Sequence, residues 1–187
     1  MKSKILKSEE IYNGFVSLRK DTIEHETYGG DSVTIVRVII EGGDSVSGIV
    51  INPEYQQVYL VEQYRATVND WPTEAVAGMV DEDEGIEAAF CREVQEELGV
   101  ELSFTYQLPA PTHGSIGTKT GKSYHFFALT KDVPNDFAGE DQQEDIKVKT
   151  YDLTTFNVLV RNGRFIDPKI LIPYLFVKAY HPQLLEQ

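Results

Sequence analysis

A single cysteine, Cys91, stands among the 187 residues. No intramolecular disulfide can form, and the chain suits a reducing compartment such as the cytoplasm. On its own, Cys91 reads as a small buried residue of a helix. Basic residues are also scarce: 17 Lys and Arg against 30 Asp and Glu leave a net charge of −13. Nucleic acid and anionic membrane surfaces both call for a basic face, so this balance argues against either partner. No apolar run approaches the roughly 18 residues of a membrane span. The opening MKSKILKSEE is too polar for a signal peptide. Internal repeats and low-complexity linkers are missing too. At 41% hydrophobic, the chain fits one domain with a substantial core and a small appendage.

Residues 78–100, GMVDEDEGIEAAFCREVQEELGV, organise the rest. The spacing predicts a helix over about residues 85–98. The acidic lead-in of Asp81, Glu82, Asp83 and Glu84 suits the positive end of a helix dipole, and Gly99 suits a left-handed C-terminal cap. At about 100° per residue, Ile86, Phe90, Val94, Leu98 and Cys91 share one arc, which packs into a core. Glu93 and Glu97 stack one turn apart inside or at the edge of that arc, with Glu96 on the flank. A solvated acidic face is one reading. Like charges at i,i+4 cost a few tenths of a kcal/mol, however, and half-buried ones cost more. The other reading is that these carboxylates hold hard divalent cations. Mg²⁺ takes oxygen ligands and keeps positions free for water and substrate phosphate.

Along the chain, residues 11–25 read as extended, with a Tyr28-Gly29-Gly30-Asp31 turn. Strands are predicted at 33–41, 45–52, 56–64, 101–108, 122–130 and 146–152. A loop at 66–73 carries the single tryptophan, Trp71. Two more follow, a Pro/Gly/Thr-rich one at 109–121 and an acidic one at 132–145. Helices near 154–162 and 168–180 close the chain. The expected class is α/β, a mixed sheet sandwiched between helices, with an N-terminal antiparallel strand layer. Residues 1–45 would form that layer and 46–187 the main domain.

The pattern Gly78, five residues, Glu84, seven residues, Arg92-Glu93-Val94, one residue, Glu96-Glu97, one residue, Gly99-Val100 resembles the Nudix box at every defined position. A chance match of nine such positions is on the order of one in ten million with average residue usage. Glu62-Gln63-Tyr64-Arg65, the approach from Glu74 through Ala75, Val76 and Ala77 to Gly78, and Glu144-Asp145-Ile146-Lys147-Val148 resemble the branch that hydrolyses ADP-ribose and nucleoside diphosphate sugars.

The resemblance implies a Nudix fold and Mg²⁺- or Mn²⁺-dependent hydrolysis of a diphosphate bond. The metal would be held by Glu93, Glu96, Glu97 and the Ala77 carbonyl. Arg92 would orient the glutamates, and an Arg92–Glu96 ion pair is physically reasonable. Arg65 would contact the substrate phosphates, and Arg37 would help hold the nucleotide, in the neighbouring subunit's site if the strand layer is exchanged in a homodimer. Arginine suits both positions because its planar fork meets phosphate bidentately; as strand-surface charges they would need no ligand. Glu144 is the expected general base, with Glu140 in reserve.

The chain also departs from that branch, with Asp44 where relatives usually carry His. A longer run from Ala110 through Pro111, Thr112, His113 and Gly114 to Gly121 replaces their Ser-Pro-Gly loop. His113 and His125 are candidate contacts there, or else ordinary surface or internally bonded residues. GDP-mannose or a dinucleotide is the alternative substrate. A catalytically silent ADP-ribose sensor is the reading from another class, disfavoured by the intact glutamate set.

Overall fold

The computed structural model describes residues 1–14, 16–138 and 145–185. Among these, the strands in chain order are β1 (Ser3–Asn13), β2 (Ser17–Glu26), β3 (Ser32–Glu41), β4 (Ser45–Asn52), β5 (Gln57–Glu62), β6 (Thr73–Glu74), β7 (Val76–Met79), β8 (Leu102–Gln107), β9 (Thr112–His113), β10 (Lys122–Thr130), β11 (Phe137–Ala138) and β12 (Ile146–Asp152). The helices are α1 (Ile86–Leu98), α2 (Leu153–Arg161) and α3 (Pro168–Tyr180). The chain divides into two compact units, Met1–Asp44 with Thr112–Ser123, and Ser45–Pro111 with Tyr124–Gln187.

The first unit is an antiparallel sheet in the order β1-β2-β3. The β-branched run of β3 favours an extended backbone. The β2–β3 turn closes through Thr27 N–H donating to Asp31 O at 2.8 Å, and Gly30 takes φ +90, which a side chain would disfavour. Ile40 N–H donates to Thr118 O at 2.7 Å and Thr120 N–H to Ile40 O at 3.1 Å, so the 112–123 segment runs beside β3. β1 begins at Ser3, eight residues before the extended segment expected from the sequence. Its residues are exposed throughout, so no alternation of apolar and polar positions announces it.

The second unit is α/β, with a mixed sheet in the order β11-β12-β5-β4-β10-β8; β6 lies beside β5 and β7 beside β4. Strand side chains alternate between faces, and here both faces are covered. Val50, Tyr59, Val61, Phe126 and Ala128 pack with Ala89, Phe90, Val94 and Leu98 of α1. Their neighbours Ile49, Ile51, Val58, Leu60 and Phe127 pack with Phe156 of α2 and Ile170, Tyr174 and Val177 of α3. Each large apolar side chain so buried contributes about 1.5–3 kcal/mol. The sheet is thus sandwiched between helices, and α1 is pinned against its centre.

Candidate active site

α1 starts where the sequence predicts, with Gly85 as its extended N-cap. It stops at Gly99, which adopts φ 67 and donates its N–H to Gln95 O. The buried arc is Ala89, Phe90, Glu93, Val94, Glu97 and Leu98. Cys91 corrects the sequence reading: it is exposed, because the arc is centred nearer Glu97 and Cys91 falls beyond its edge.

Both carboxylates of the arc face β7. Glu97 accepts a hydrogen bond from Ala77 N–H at 3.2 Å. Glu93 lies so close to the strand that a Cβ on Gly78 would fall 1.8 Å from its Oε1. The glycine of the motif is therefore a cradle for a carboxylate. Glu96, on the flank, is exposed, its side chain at 57%.

Arg92 gathers this group. Its Nε and Nη2 donate to the two oxygens of Glu84, both at 3.0 Å. Its Nη1 donates to Glu93 at 2.7 Å and Glu96 at 3.0 Å. Nη2 also reaches Met79 O at 2.9 Å, tying the loop to the helix. Hydrogen bonding to Glu84, then to Glu93 and Glu96, raises the Arg92 pKa further above its usual value despite partial burial. The same contact lowers that of Glu84.

Among the described residues, no three Asp, Glu, His or Cys side chains converge closely enough to cage a cation by themselves. The donor set nonetheless fits a hard divalent ion. Glu93 and Glu97 offer oxygens side by side over a backbone cleared by Gly78, and Mg²⁺ commonly takes one or two carboxylates, several waters and the substrate's phosphates.

Arg65 does not stand alone. Its Nε and Nη2 donate to Glu74 at 2.6 and 2.8 Å, and Lys169 Nζ adds a third contact to Glu74 at 3.2 Å. Burial alone would raise the Glu74 pKa, but the two cations win and lower it. The Arg65 pKa rises, first through Glu74 and also through the nearby Glu97 charge. Asp167, its pKa raised mainly by burial, accepts from Ala75 N–H at 3.0 Å and Lys169 N–H at 2.9 Å. This network fixes the strand that leads into Ala77 and Gly78. Sequence reasoning missed Asp167 and Lys169 altogether, since 95 positions separate Lys169 from Glu74.

His125 is buried and bonds to Ser47 through Nδ1 at 2.9 Å, the internally bonded reading; His113 is exposed. Arg37 lies on β3 in the first unit and donates to Val36 O at 2.9 Å. Glu140 and Glu144 lie outside the described residues.

The α/β sheet sandwiched between helices, with α1 packed on one face, has the architecture of the Nudix class. The family model for the NUDIX domain matches residues 43–172, and the chain belongs to that family, whose hydrolases use divalent metal ions. It is similar to the ADP-ribose pyrophosphatase of Escherichia coli K12, 27% identical over 96% of this chain and 90% of that one. It is 28% identical to the GDP-mannose pyrophosphatase of Citrobacter koseri over 91% of this chain and 93% of the relative. A crystal structure described as an ADP compounds hydrolase shares the fold, with a TM-score of 0.76 over 98% of this chain and 96% of that one at 16% identity. No helix among the described residues is long and apolar enough to cross a membrane.

Proposed function

We propose that this chain is a metal-dependent pyrophosphatase that hydrolyses the diphosphate bond of ADP-ribose or a related nucleoside diphosphate sugar. The products are a nucleoside monophosphate and a sugar phosphate. The carrying observation is the buried pair Glu93 and Glu97 over Gly78, in a chain aligned over nearly its whole length with an ADP-ribose pyrophosphatase. Glu93, Glu96, Glu97 and the Ala77 carbonyl would hold Mg²⁺ or Mn²⁺, which when bound offsets negative charge on the phosphoryl oxygens and the leaving phosphate.

The chain's own groups divide the remaining work. Arg92 sets the rotamers of Glu93 and Glu96. Arg65 spends two of its five N–H donors on Glu74, which leaves donors for substrate phosphate while Glu74 keeps the guanidinium in place. Arg37, from the strand layer, supplies a nucleotide contact to the neighbouring subunit of a homodimer built through residues 1–45. Glu144, by its place in the Glu-Asp-Ile motif, takes the proton from the water that attacks phosphorus, and Glu140 is its reserve. The setting is the cytoplasm.

GDP-mannose is the second reading, favoured by the Citrobacter relative. The test is a screen of ADP-ribose, GDP-mannose and dinucleotides with Mg²⁺, with Mn²⁺ and after chelation, following phosphate released by a coupled phosphatase. ADP-ribose turnover that depends on a divalent cation is expected. Activity surviving exhaustive chelation overturns the metal site, preference for GDP-mannose selects the second reading, and binding of ADP-ribose without turnover would mark a sensor.

A further inference from the structure

A cavity of about 550 Å³ lies between the residues preceding β6 and the connection from α2 to α3. Its aromatic wall is Trp71, Tyr151 and Phe165, with Leu159 beside them. Tyr151 and Phe165 meet edge to face at 5.9 Å, and Tyr151 is tied to Thr73 through their hydroxyls at 3.3 Å. Trp71 is braced by the Tyr64 ring at 5.1 Å and is still 56% exposed.

The charged members of the wall are Arg164 and Asp70. The Arg164 side chain is exposed and has no hydrogen-bond or ion-pair partner among the described residues. A free guanidinium in a cavity of a chain with net charge −13 is a place where an anion can settle against the prevailing field. Asp70 accepts from Trp71 N–H through Oδ1, leaving its other oxygen as an acceptor. Tyr151, Leu159 and Phe165 pack with the α2 and α3 cluster, whereas the α1 carboxylates lie on the opposite face of the sheet. The cavity is therefore not the metal face.

We propose that this cavity is a second ligand site, for a nucleoside monophosphate. The base lies on Trp71, its exocyclic amino group donates to Asp70, and the phosphate meets Arg164. The volume is within the range of small-molecule sites, base–aromatic stacking is worth about 1–3 kcal/mol, and guanidinium–phosphate pairing adds a charge-assisted contact. The site goes beyond the proposed reaction and does not depend on it. The segment it touches, Trp71 to Thr73, runs through Glu74 and Ala75 into Ala77 and Gly78, so occupancy there reaches the cradle along one strand path.

Trp71 is the single tryptophan and so reports on its own site. Adenosine monophosphate is titrated into the full chain carrying Glu97→Gln, without divalent cation, following tryptophan emission. Saturable quenching is expected. Adenosine or ribose 5-phosphate alone should bind roughly tenfold more weakly or worse, as should the nucleotide once Arg164→Gln is added. Arg164→Lys, which keeps the charge, should recover part of the affinity. No emission change up to millimolar nucleotide overturns the site. So does quenching that Arg164→Gln leaves unchanged, since the nucleotide would then be bound elsewhere.

Discussion

Alanine at position 78 adds one methyl group, and that carbon would lie 1.8 Å from Glu93 Oε1 and 1.9 Å from its Cδ. The far end of a glutamate can swing away, so folding should survive, but Arg92 holds this carboxylate at 2.7 Å and the swing breaks that contact. Gly78→Ala should therefore weaken metal activation by about tenfold or more, while the thermal midpoint moves by only a few degrees, as expected for about 1 kcal/mol. A Mg²⁺ titration of the rate beside a melting curve checks both. Wild-type metal dependence would mean that the Glu93 position does not matter. The base carries a separate expectation. Glu144→Gln should lower kcat by roughly 10²–10⁴-fold with little change in KM, the usual share of general base catalysis. It should also remove the acidic limb of the pH–rate profile. Recovery of kcat at high Mg²⁺ would make Glu144 a metal ligand and send the search for the base to Glu140 or to Glu93, Glu96 and Glu97.

Between α1 and the sheet the packing leaves no slack. Phe90 of α1 and Phe126 of β10 stack at 4.4 Å with planes 4° apart. Gly48 of β4 lies against both, so an added Cβ would meet Phe126 O at 2.6 Å and the Phe90 ring at 2.7 Å. A backbone oxygen cannot swing aside as a carboxylate can. Gly48→Ala should cost about 1–3 kcal/mol, the usual penalty of overpacking, read as a lower urea midpoint with unchanged slope. Unchanged stability would mean that α1 floats on the sheet. Next to Gly48 on β4, Ser47 bonds to buried His125, whose pKa is pushed below 6.5 by burial and, secondarily, by the charge of Lys169. Below about pH 6.5 the unfolded chain takes up a proton at His125 that the folded chain refuses, so stability falls with acidification. His125→Gln should flatten that fall between about pH 7 and 5 in urea titrations, and equal slopes would assign it to other groups. α1 and its cap were legible because helical period, acidic lead-in and Gly99 agree in one short stretch. The exposure of Cys91 turned on a few tens of degrees of helix rotation, which packing decides. The clamp of Arg65 and Lys169 on Glu74, with Asp167 on the neighbouring Ala75 amide, was not legible, because pairing across 95 positions leaves no local trace.

For the assembled protein, the strand layer poses the sharpest question. A three-stranded sheet with both faces wet would be marginal. Here β1 carries Ile5, Leu6, Ile11 and Tyr12 at about half exposure, and β3 carries Val36 and Val38 at 49% and 48%. Such a collection of apolar side chains on strands marks an interaction surface rather than ordinary surface chemistry. Among the described residues β1 pairs only with β2, and its outer edge could also extend a sheet into a second copy. A net charge of −13 opposes association between copies, so the proposed dimer would be held by this apolar layer, and added salt should strengthen it by screening the repulsion. Light scattering at micromolar concentration should report a symmetric dimer. Val36 and Val38 lie two apart, hence on one face of β3, and changing both to glutamate buries like charges wherever that face meets its copy. The double variant should scatter as a monomer and bind metal as the parent does, since the Ser45–Pro111 and Tyr124–Gln187 unit holds its own core. If it also loses turnover, and Arg37→Ala in the intact dimer reproduces that loss as a raised KM for nucleotide, the strand layer contributes to catalysis across subunits. A parent chain that is monomeric at micromolar concentration would end both the dimer and the case for Arg37.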